Sequence, residues 1–108
     1  MKSIVNNLLQ PIPTDLSEEV FETLVTGSNI KIERIISKGH STPDGDWYDQ
    51  NQDEWVMVLQ GHGILEYESG KTQEMKAGDS VNILKHCKHR VKWTDPNQET
   101  IWLAVFYG

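Results

Sequence analysis

The sequence predicts an all-β domain, either a sandwich or a closed barrel of the jelly-roll kind. Apolar and polar residues alternate with a period of two in the regular segments, most clearly over residues 30–36. Turn residues recur about every 6 to 12 positions, as in residues 27–29 and 95–97. They separate about eight short segments, which is typical of these folds. A barrel or jelly roll would also shorten the exposed sheet edges.

Composition and charge narrow the class of protein. The chain has 108 residues and a net charge of −6, and its length fits one domain. Binding to nucleic-acid phosphates depends on Lys and Arg, so we expect no nucleic-acid partner. No stretch approaches the roughly 20 apolar residues of a membrane helix. The single cysteine, Cys87, excludes an internal disulfide. We expect a cytoplasmic protein with no membrane partner, and a small, buried Cys87.

The first segments are expected to form an arm and a hairpin. We assign residues 1–29 to an N-terminal arm followed by a first strand or short helix, and residues 30–108 to the barrel. The arm is apolar, is broken by Pro11 and Pro13, and is expected to pack on the domain or on a partner chain. Residues 20–26 fit either a helical stripe or a strand. The turn signal at residues 27–29 favours a hairpin with residues 30–36.

A long polar loop precedes the remaining strands. Residues 37–53 hold two glycines, a proline and four aspartates, and such a loop of about 17 residues is often functional. Residues 54–60 then form a strand that is apolar on both faces beyond Glu54, which predicts a central position in a sheet. Further strands are predicted at residues 63–68, 72–75, 81–84, 90–93 and 100–107.

Two spacings in the second half of the chain resemble the two motifs of the cupin family. Glu54 is followed by six residues and then Gly61, as at the end of the first cupin motif. Gly78, followed by Asp79, precedes His89 by eleven positions, as in the second motif. The resemblance covers about residues 30–107. It implies a small single-domain cupin of the Cupin_2 type, with a double-stranded β-helix (jelly-roll) barrel and an N-terminal arm.

The first motif departs from the family pattern. Cupins carry His-x-His a few residues before the glutamate. Here those positions hold Tyr48 and Gln50, or Trp47 and Asp49 in the other register. Of the four ligands that the resemblance implies, two therefore match residue by residue, and both lie in the segment that runs from Glu54 to His89.

The resemblance implies one divalent metal, Fe, Mn, Ni or Zn, bound by Glu54 and His89. The ligand set would be completed by His40, Asp49 or Gln50. With His40 it would consist of two histidines and one carboxylate, which is the arrangement of non-haem iron oxygenases. The alternative for Asp49 and Gln50 is hydrogen bonding within the loop.

Further residues are candidates for substrate binding. Tyr48 could donate a hydrogen bond to a substrate, and Trp47 could line the pocket, although both are more often packing residues. Arg90, beside the matched histidine, and Arg34, on the hairpin, could hold an anionic group, although a lone arginine is more often at the surface. His86 is expected in a loop near the rim of the barrel.

Three functions remain open at this point. The first is a metal-dependent enzyme of cupin type, an oxygenase, isomerase or lyase, acting on a small polar molecule. The second is a metal-free cupin that binds a small molecule or has a structural role, which the missing His-x-His favours. The third is a sensor domain, which no DNA-binding segment supports. The arm and the four tryptophans also predict a homodimer.

Overall fold

Eight antiparallel strands build the domain in the computed structural model, which describes residues 4–108. They form a five-stranded sheet in the order β1-β2-β8-β3-β6 and a three-stranded sheet in the order β5-β4-β7. This arrangement confirms the predicted all-β jelly-roll barrel. The strands are β1 (Val20–Gly27), β2 (Ile30–Ser37), β3 (Asp53–Gln60), β4 (His62–Tyr67), β5 (Thr72–Lys76), β6 (Ser80–Ile83), β7 (His89–Thr94) and β8 (Thr100–Tyr107).

Strand β3 lies inside the larger sheet, as its apolar residues on both faces predict. It pairs with β8 on one side and with β6 on the other. Glu54, Val56 and Val58 are buried, whereas the residues between them are partly exposed. Because neighbouring side chains of a strand point to opposite faces, this pattern places Glu54 on the same face as the core valines. The hydrophobic core extends from these valines to Leu65 of β4 and Trp102 of β8.

Residues 20–26 are a strand, so the helical alternative is wrong. β1 pairs with β2 from Val20–Ile36 to Gly27–Ile30, which leaves a two-residue turn between the strands. The tertiary pairing decides between two local patterns that the sequence supports about equally.

Arg34 on β2 holds the N-terminal segment against the barrel. Its guanidinium donates hydrogen bonds to the carbonyl oxygens of Leu8 and Pro11, both at 3.2 Å, and to Glu22 Oε1 at 2.7 Å. The side chain is nearly buried. Since all of these partners are protein groups, Arg34 has a structural role in the packing of the arm.

Apolar side chains remain exposed along the edge strand β1. Phe21, Leu24 and Val25 are at least two-fifths exposed, and Ile30 at the start of β2 is similar. Unpartnered apolar edges are common at subunit contacts. The predicted homodimer stays a prediction that these residues support.

Two further expectations concern exposure. Cys87 lies at the surface, so the expectation that it is buried is wrong. It precedes β7 in a tight turn, where its backbone, rather than its side chain, makes the structural contacts. Within residues 4–108 there is no helix of the length and apolarity that crossing a bilayer requires.

Candidate functional site

A buried carboxylate and a buried imidazole meet between the two sheets. Glu54 enters from β3 of the larger sheet and His89 from the first position of β7 in the smaller sheet. Glu54 Oε1 and His89 Nε2 are 3.2 Å apart, and the two side chains are only 9% and 6% exposed. The structure thus brings together the two residues that match the cupin pattern, although they are 35 positions apart in sequence.

The backbone fixes the orientation of the His89 ring. His89 Nδ1 lies 2.8 Å from the carbonyl oxygen of Cys87 and therefore donates a hydrogen bond to it. In a neutral ring with this tautomer, Nε2 carries only a lone pair, and it would face the Glu54 carboxylate. Two acceptors at 3.2 Å repel each other, so a proton or another cation must lie between them. Glu54 and His89 can therefore bind a proton or another cation between them.

The pKa of His89 reflects this arrangement. Burial by itself lowers the pKa of the imidazole. The hydrogen bond with Glu54, the hydrogen bond to the Cys87 carbonyl and the Glu54 charge act in the opposite direction, and together they raise the pKa above its ordinary value of 6.5. We infer that the imidazolium form donates Nε2–H to Glu54.

We expect the His89 imidazole to titrate with a midpoint above 6.5, as measured by NMR of the ring nitrogens. Because the folded-state pKa exceeds that of the unfolded chain, the stabilisation from this residue is complete below about pH 6.5 and is lost as pH rises through the folded-state value. Glu54→Gln should lower the midpoint, since it removes the negative charge. A midpoint at or below 6.5 in the unmodified protein would contradict this assignment.

The pair lies in a cavity of about 580 Å³ between the sheets. This volume is in the range of small-molecule sites, roughly 300 to 1,000 Å³. Most of the wall is apolar or aromatic, and it includes Val56, Leu65, Trp102 and Phe106. A cavity of this size and character suits one small organic molecule.

The charged residues of the cavity are mostly acidic. Four carboxylates line it, and the lysine Lys31 is the only side chain there that is always cationic among the lining residues described. Lys31 Nζ lies 3.5 Å from Glu33 Oε2 and 4.9 Å from the centre of the Phe106 ring. This lysine is therefore already shared between a carboxylate and an aromatic face. The four carboxylates belong to Glu19, Glu33, Asp49 and Glu54.

Tyr48 lies on the loop at the cavity wall and is fixed by β7. Its backbone makes two hydrogen bonds with His89, of 2.8 and 3.2 Å. Its ring lies 5.7 Å from the His89 ring, tilted by 38°. Burial, together with the charge of Glu19, raises the pKa of the phenol. Tyr48 therefore keeps its proton and remains a hydrogen-bond donor beside the pair.

The side chains of Asp49 and His86 are hydrogen-bonded to each other on the cavity wall. Asp49 Oδ1 and His86 Nδ1 are 2.9 Å apart, and the backbone N–H of His86 donates to the Gln50 carbonyl oxygen at 2.7 Å. His86 has a φ of 63°, a left-handed conformation that histidine adopts more readily than most residues. The loop before β3 and the loop before β7 are therefore joined at this point.

The other predicted site residues lie away from the Glu54–His89 pair. His40 Nδ1 accepts a hydrogen bond from the Lys38 N–H at 2.9 Å, and Nε2 lies 3.4 Å from the Ser17 carbonyl. Arg90 binds Glu66 at 2.8 Å and Asp44 at 3.2 Å. His40, Arg90 and the partly buried Trp47 are not among the residues that line the cavity. Gln50 does line it, through the same loop as Asp49.

The donor atoms at the pair match a metal site only in part. The Nδ1–H···O=C contact of His89 is the outer-shell contact that metal-binding histidines usually make. Zn²⁺ and Fe²⁺ sites in proteins, however, use three or four protein ligands. Across residues 4–108, no three His, Cys, Asp or Glu side chains are grouped closely enough to hold a metal. His40 and Asp49 are engaged with other partners, so the residues present do not fit the ligand set that the resemblance implies.

Several cavity residues escaped the sequence analysis. Glu33 and Trp102 lie on β2 and β8, and each alternates with residues of the opposite face. Once the cavity face of a strand is known, its period of two identifies them. His86, expected in a loop near the rim of the barrel, lies between β6 and β7 and lines the cavity.

Comparisons with known proteins agree with this architecture. Residues 34–106 match the model of a family described as "Cupin domain". A structure from Ralstonia eutropha JMP134, described as a candidate mannose-6-phosphate isomerase, is 42% identical, with a TM-score of 0.92 over 97% of this chain and 98% of that one. No curated protein matches this chain.

More distant structures share the fold. An RmlC-like cupin protein from Desulfovibrio desulfuricans is 21% identical, with a TM-score of 0.75 over 98% of this chain and 96% of that one. An RmlC-like cupin with a double-stranded β-helix fold, from Methanocaldococcus jannaschii, is 19% identical, with a TM-score of 0.70 over 90% of this chain and 86% of that one. At these identities the likeness establishes the double-stranded β-helix fold.

Proposed function

This chain belongs to the cupin domain family, and we propose that its barrel cavity binds a small polar molecule through the Glu54–His89 pair. The observation that carries the proposal is the position of the pair. Its two side chains are buried, their Oε1 and Nε2 atoms are 3.2 Å apart, and they lie in the wall of a cavity of about 580 Å³. Buried ionisable pairs that face a cavity are common at functional sites. The pair offers a carboxylate oxygen and an imidazole nitrogen to a ligand hydroxyl, carbonyl or amine.

The charge of the cavity favours a neutral or cationic ligand. The description of the Ralstonia eutropha protein names a sugar phosphate, and a phosphate group carries about −1.5 to −2 charges at neutral pH. The lining holds four carboxylates against Lys31 and two histidines. Arg34 and Arg90, the cations predicted to hold an anion, are bound to carboxylates elsewhere. We therefore propose a ligand without a phosphate group.

The pair can also hold and move a proton. One proton is shared between His89 Nε2 and Glu54 Oε1, and a bound hydroxyl or carbonyl group could exchange with it. Tyr48 adds a second donor beside the same ring. Such an arrangement suits proton transfer of the kind that isomerases and lyases use. Oxygenase, isomerase or lyase activity stays a prediction, and ligand binding does not require it.

A divalent metal is the second candidate occupant. The favouring observation is the orientation of His89, whose Nδ1–H is committed to the Cys87 carbonyl and leaves Nε2 for a metal. Among the residues that the structure describes, Fe, Mn, Ni or Zn would have only Glu54 and His89 as protein ligands, fewer than the three or four that such sites use. With two protein donors in place, we propose organic-ligand binding as the primary function and treat metal binding as a separate outcome.

The test is a binding screen on untagged protein that has been treated with a chelator. The probes are linear polyols, free hexoses, alkylamines and a hexose phosphate, and, in separate samples, Fe²⁺, Mn²⁺, Ni²⁺ and Zn²⁺. We expect polyols, hexoses or amines to raise the melting temperature and to shift the His89 ring signals, and we expect the hexose phosphate to do neither. His89→Gln should weaken binding at least about tenfold, as expected for loss of a hydrogen bond to a charged group.

His62→Gln is the matched control. His62 is paired with Glu74 at 3.1 Å, and its side chain lies outside the cavity lining, so this variant should retain full affinity. If no organic probe changes the melting temperature or the His89 ring signals and a metal ion changes them, the metal-binding alternative replaces the proposal. Binding of the hexose phosphate alone would refute the charge argument.

A further inference from the structure

Glu54 keeps one carboxylate oxygen free for a ligand. Its Oε1 faces His89 Nε2 at 3.2 Å, whereas Oε2 has no hydrogen-bond partner within residues 4–108. Unlike a sealed buried atom, Oε2 retains accessible surface. Because the side chain is only 9% exposed and lies on the inner face of β3, that surface opens into the cavity. A nearly buried, negatively charged acceptor is thus available to a donor in the cavity.

The cavity has an excess of negative charge whenever its acids are ionised. Among the described lining residues, four carboxylates stand against three side chains that can be positive, Lys31, His86 and His89. Even with both imidazoles protonated, one negative charge is unbalanced, and neutral imidazoles leave three. Charges in a largely apolar cavity are poorly solvated, so this excess favours a bound cation. A ligand with one positive charge is the smallest that balances it.

Three of these carboxylates act on the same part of the cavity, the Tyr48 phenol. Burial raises the pKa of this phenol, and the charges of Glu19, Glu54 and Glu33 raise it further. Because solvent and salt screen charges over longer distances, all three acids lie near the phenol. The negative potential is therefore concentrated beside the Glu54–His89 pair rather than spread over the wall.

An ammonium group of the chain itself is bound in this environment. Lys31 Nζ lies 3.5 Å from Glu33 Oε2 and 4.9 Å from the centre of the Phe106 ring. A carboxylate and an aromatic face are groups that recognise an alkylammonium. Phe106 is opposite Glu54 in the β3–β8 register, so the free oxygen of Glu54 belongs to the same part of the cavity.

The wall beyond the pair is apolar. The next inward residues of the same two strands are Val56 on β3 and Val91 on β7, about 7 Å further along, and both line the cavity. Leu65 of β4 is opposite Val91 and also lines the cavity. These side chains offer no hydrogen-bond partner, so a ligand that extends beyond the pair must be apolar there.

We propose that the cavity binds a primary alkylammonium, whose N–H groups donate to Glu54 Oε2 and whose alkyl chain lies along Val56, Leu65 and Val91. This inference rests on the proposed function and names its ligand class: a monocation with a hydrogen-bond donor and an apolar chain. Glu33 adds a second negative charge near the head group. Glu54 and Glu33 are therefore specificity-determining residues.

The experiment compares three ligands of one chain length by calorimetry at pH 8. Hexylamine is cationic at this pH, since alkylamines such as the lysine side chain have a pKa of about 10.4. Hexanol keeps the chain and a donor without the charge, and trimethylhexylammonium keeps the charge without an N–H. We expect hexylamine to bind at least about tenfold more tightly than either, as for a hydrogen bond to a charged group. Equal affinity of hexylamine and either analogue would overturn the inference.

Three variants locate the ammonium. Glu54→Gln should weaken hexylamine binding at least about tenfold and leave hexanol binding within about twofold. Glu33→Gln removes a nearby charge and should weaken hexylamine binding about threefold. Glu74→Gln is the matched control, since it removes the same charge at an exposed position outside this cavity, and it should keep full affinity. Unchanged hexylamine binding by Glu54→Gln would refute the assignment.

Sorbitol and a free hexose separate this inference from the proposed function. If either shifts the His89 ring signals while hexylamine does not, the inference is overturned and ligand binding at the pair stands. If no organic probe shifts them, the proposed function fails, and the inference fails with it. The comparison of the three ligands uses the unmodified protein, so poor folding of a variant would not decide the result.

Discussion

Glu54→Ala is expected to lower the free energy of unfolding by about 3 kcal/mol at pH 6, in the lower part of the range for breaking a buried ion pair. Glu54 is 9% exposed, and its Oε1 faces the raised-pKa imidazole of His89. Without the carboxylate, the imidazolium would be buried with no partner at Nε2. The ring can respond by losing its proton, which limits the cost. Chemical denaturation, read by tryptophan fluorescence, measures the change.

Glu54→Gln is the control for shape and hydrogen bonding. The glutamine amide can donate to Nε2 of a neutral His89, while His89 Nδ1–H stays on the Cys87 carbonyl. We expect a loss of about 1 kcal/mol or less at pH 8, with a larger loss at pH 6, where the charged imidazole is favoured. Equal stabilities for Glu54→Ala and the unmodified protein would show that the pair does not contribute to the fold.

Gly61→Ala is expected to cost about 3 to 4 kcal/mol of stability. Gly61 connects β3 to β4 with a φ of 94°, and a Cβ there would lie 2.6 Å from Thr100 Cα and 2.7 Å from the Glu99 carbonyl oxygen. The left-handed backbone costs about 1 to 2 kcal/mol, and overpacking typically adds 1 to 3 kcal/mol. Both contacts are backbone atoms, so no side-chain rotation relieves them. The clash would also strain the two hydrogen bonds between Thr100 Oγ1 and the His62 backbone.

Gly70→Ala separates the two contributions. Gly70 has a φ of 93°, close to that of Gly61, but an added Cβ would meet no atom within 4 Å. Its substitution should therefore cost only the backbone term, about 1 to 2 kcal/mol. The difference between the two variants in the free energy of unfolding, measured with denaturant, gives the cost of the clash with Glu99 and Thr100 at the start of β8. Equal losses would mean that residues 99–100 move aside freely.

Sequence reasoning reached the strands because strand geometry leaves side chains few choices. In β3, the apolar residues on both faces beyond Glu54 predict a central strand, and the structure places it between β8 and β6. The resemblance of the two motif spacings to those of cupins, rather than the strand pattern, predicted that Glu54 and His89 share the barrel interior. The pattern alone did not decide residues 20–26, where a strand forms because β2 supplies backbone partners.

The positions of loop side chains were harder to predict from the sequence, because no local periodicity fixes the direction in which they point. The segment between β2 and β3 is held by contacts with β7: the Thr42 N–H donates to the Val91 carbonyl, and Tyr48 pairs with His89. These contacts direct Tyr48 towards the pair and leave His40 beside Lys38 and Ser17. The exposed Cys87 and the left-handed His86 have the same origin, a tight turn that no apolar pattern marks.

The order of strands in the larger sheet also determines when this protein can fold. β8 lies between β2 and β3, and its pairing with β2 joins residues about 60 to 80 positions apart. The β1–β2 hairpin can form early during synthesis, but two strand edges wait until residues 100–107 have left the ribosome. Such distant pairing is typical of domains that fold in milliseconds to seconds. A growing chain therefore exposes the unpaired edges of β2 and β3 until β8 is complete. Because unpaired strand edges promote aggregation, prompt pairing of β8 is important for avoiding it.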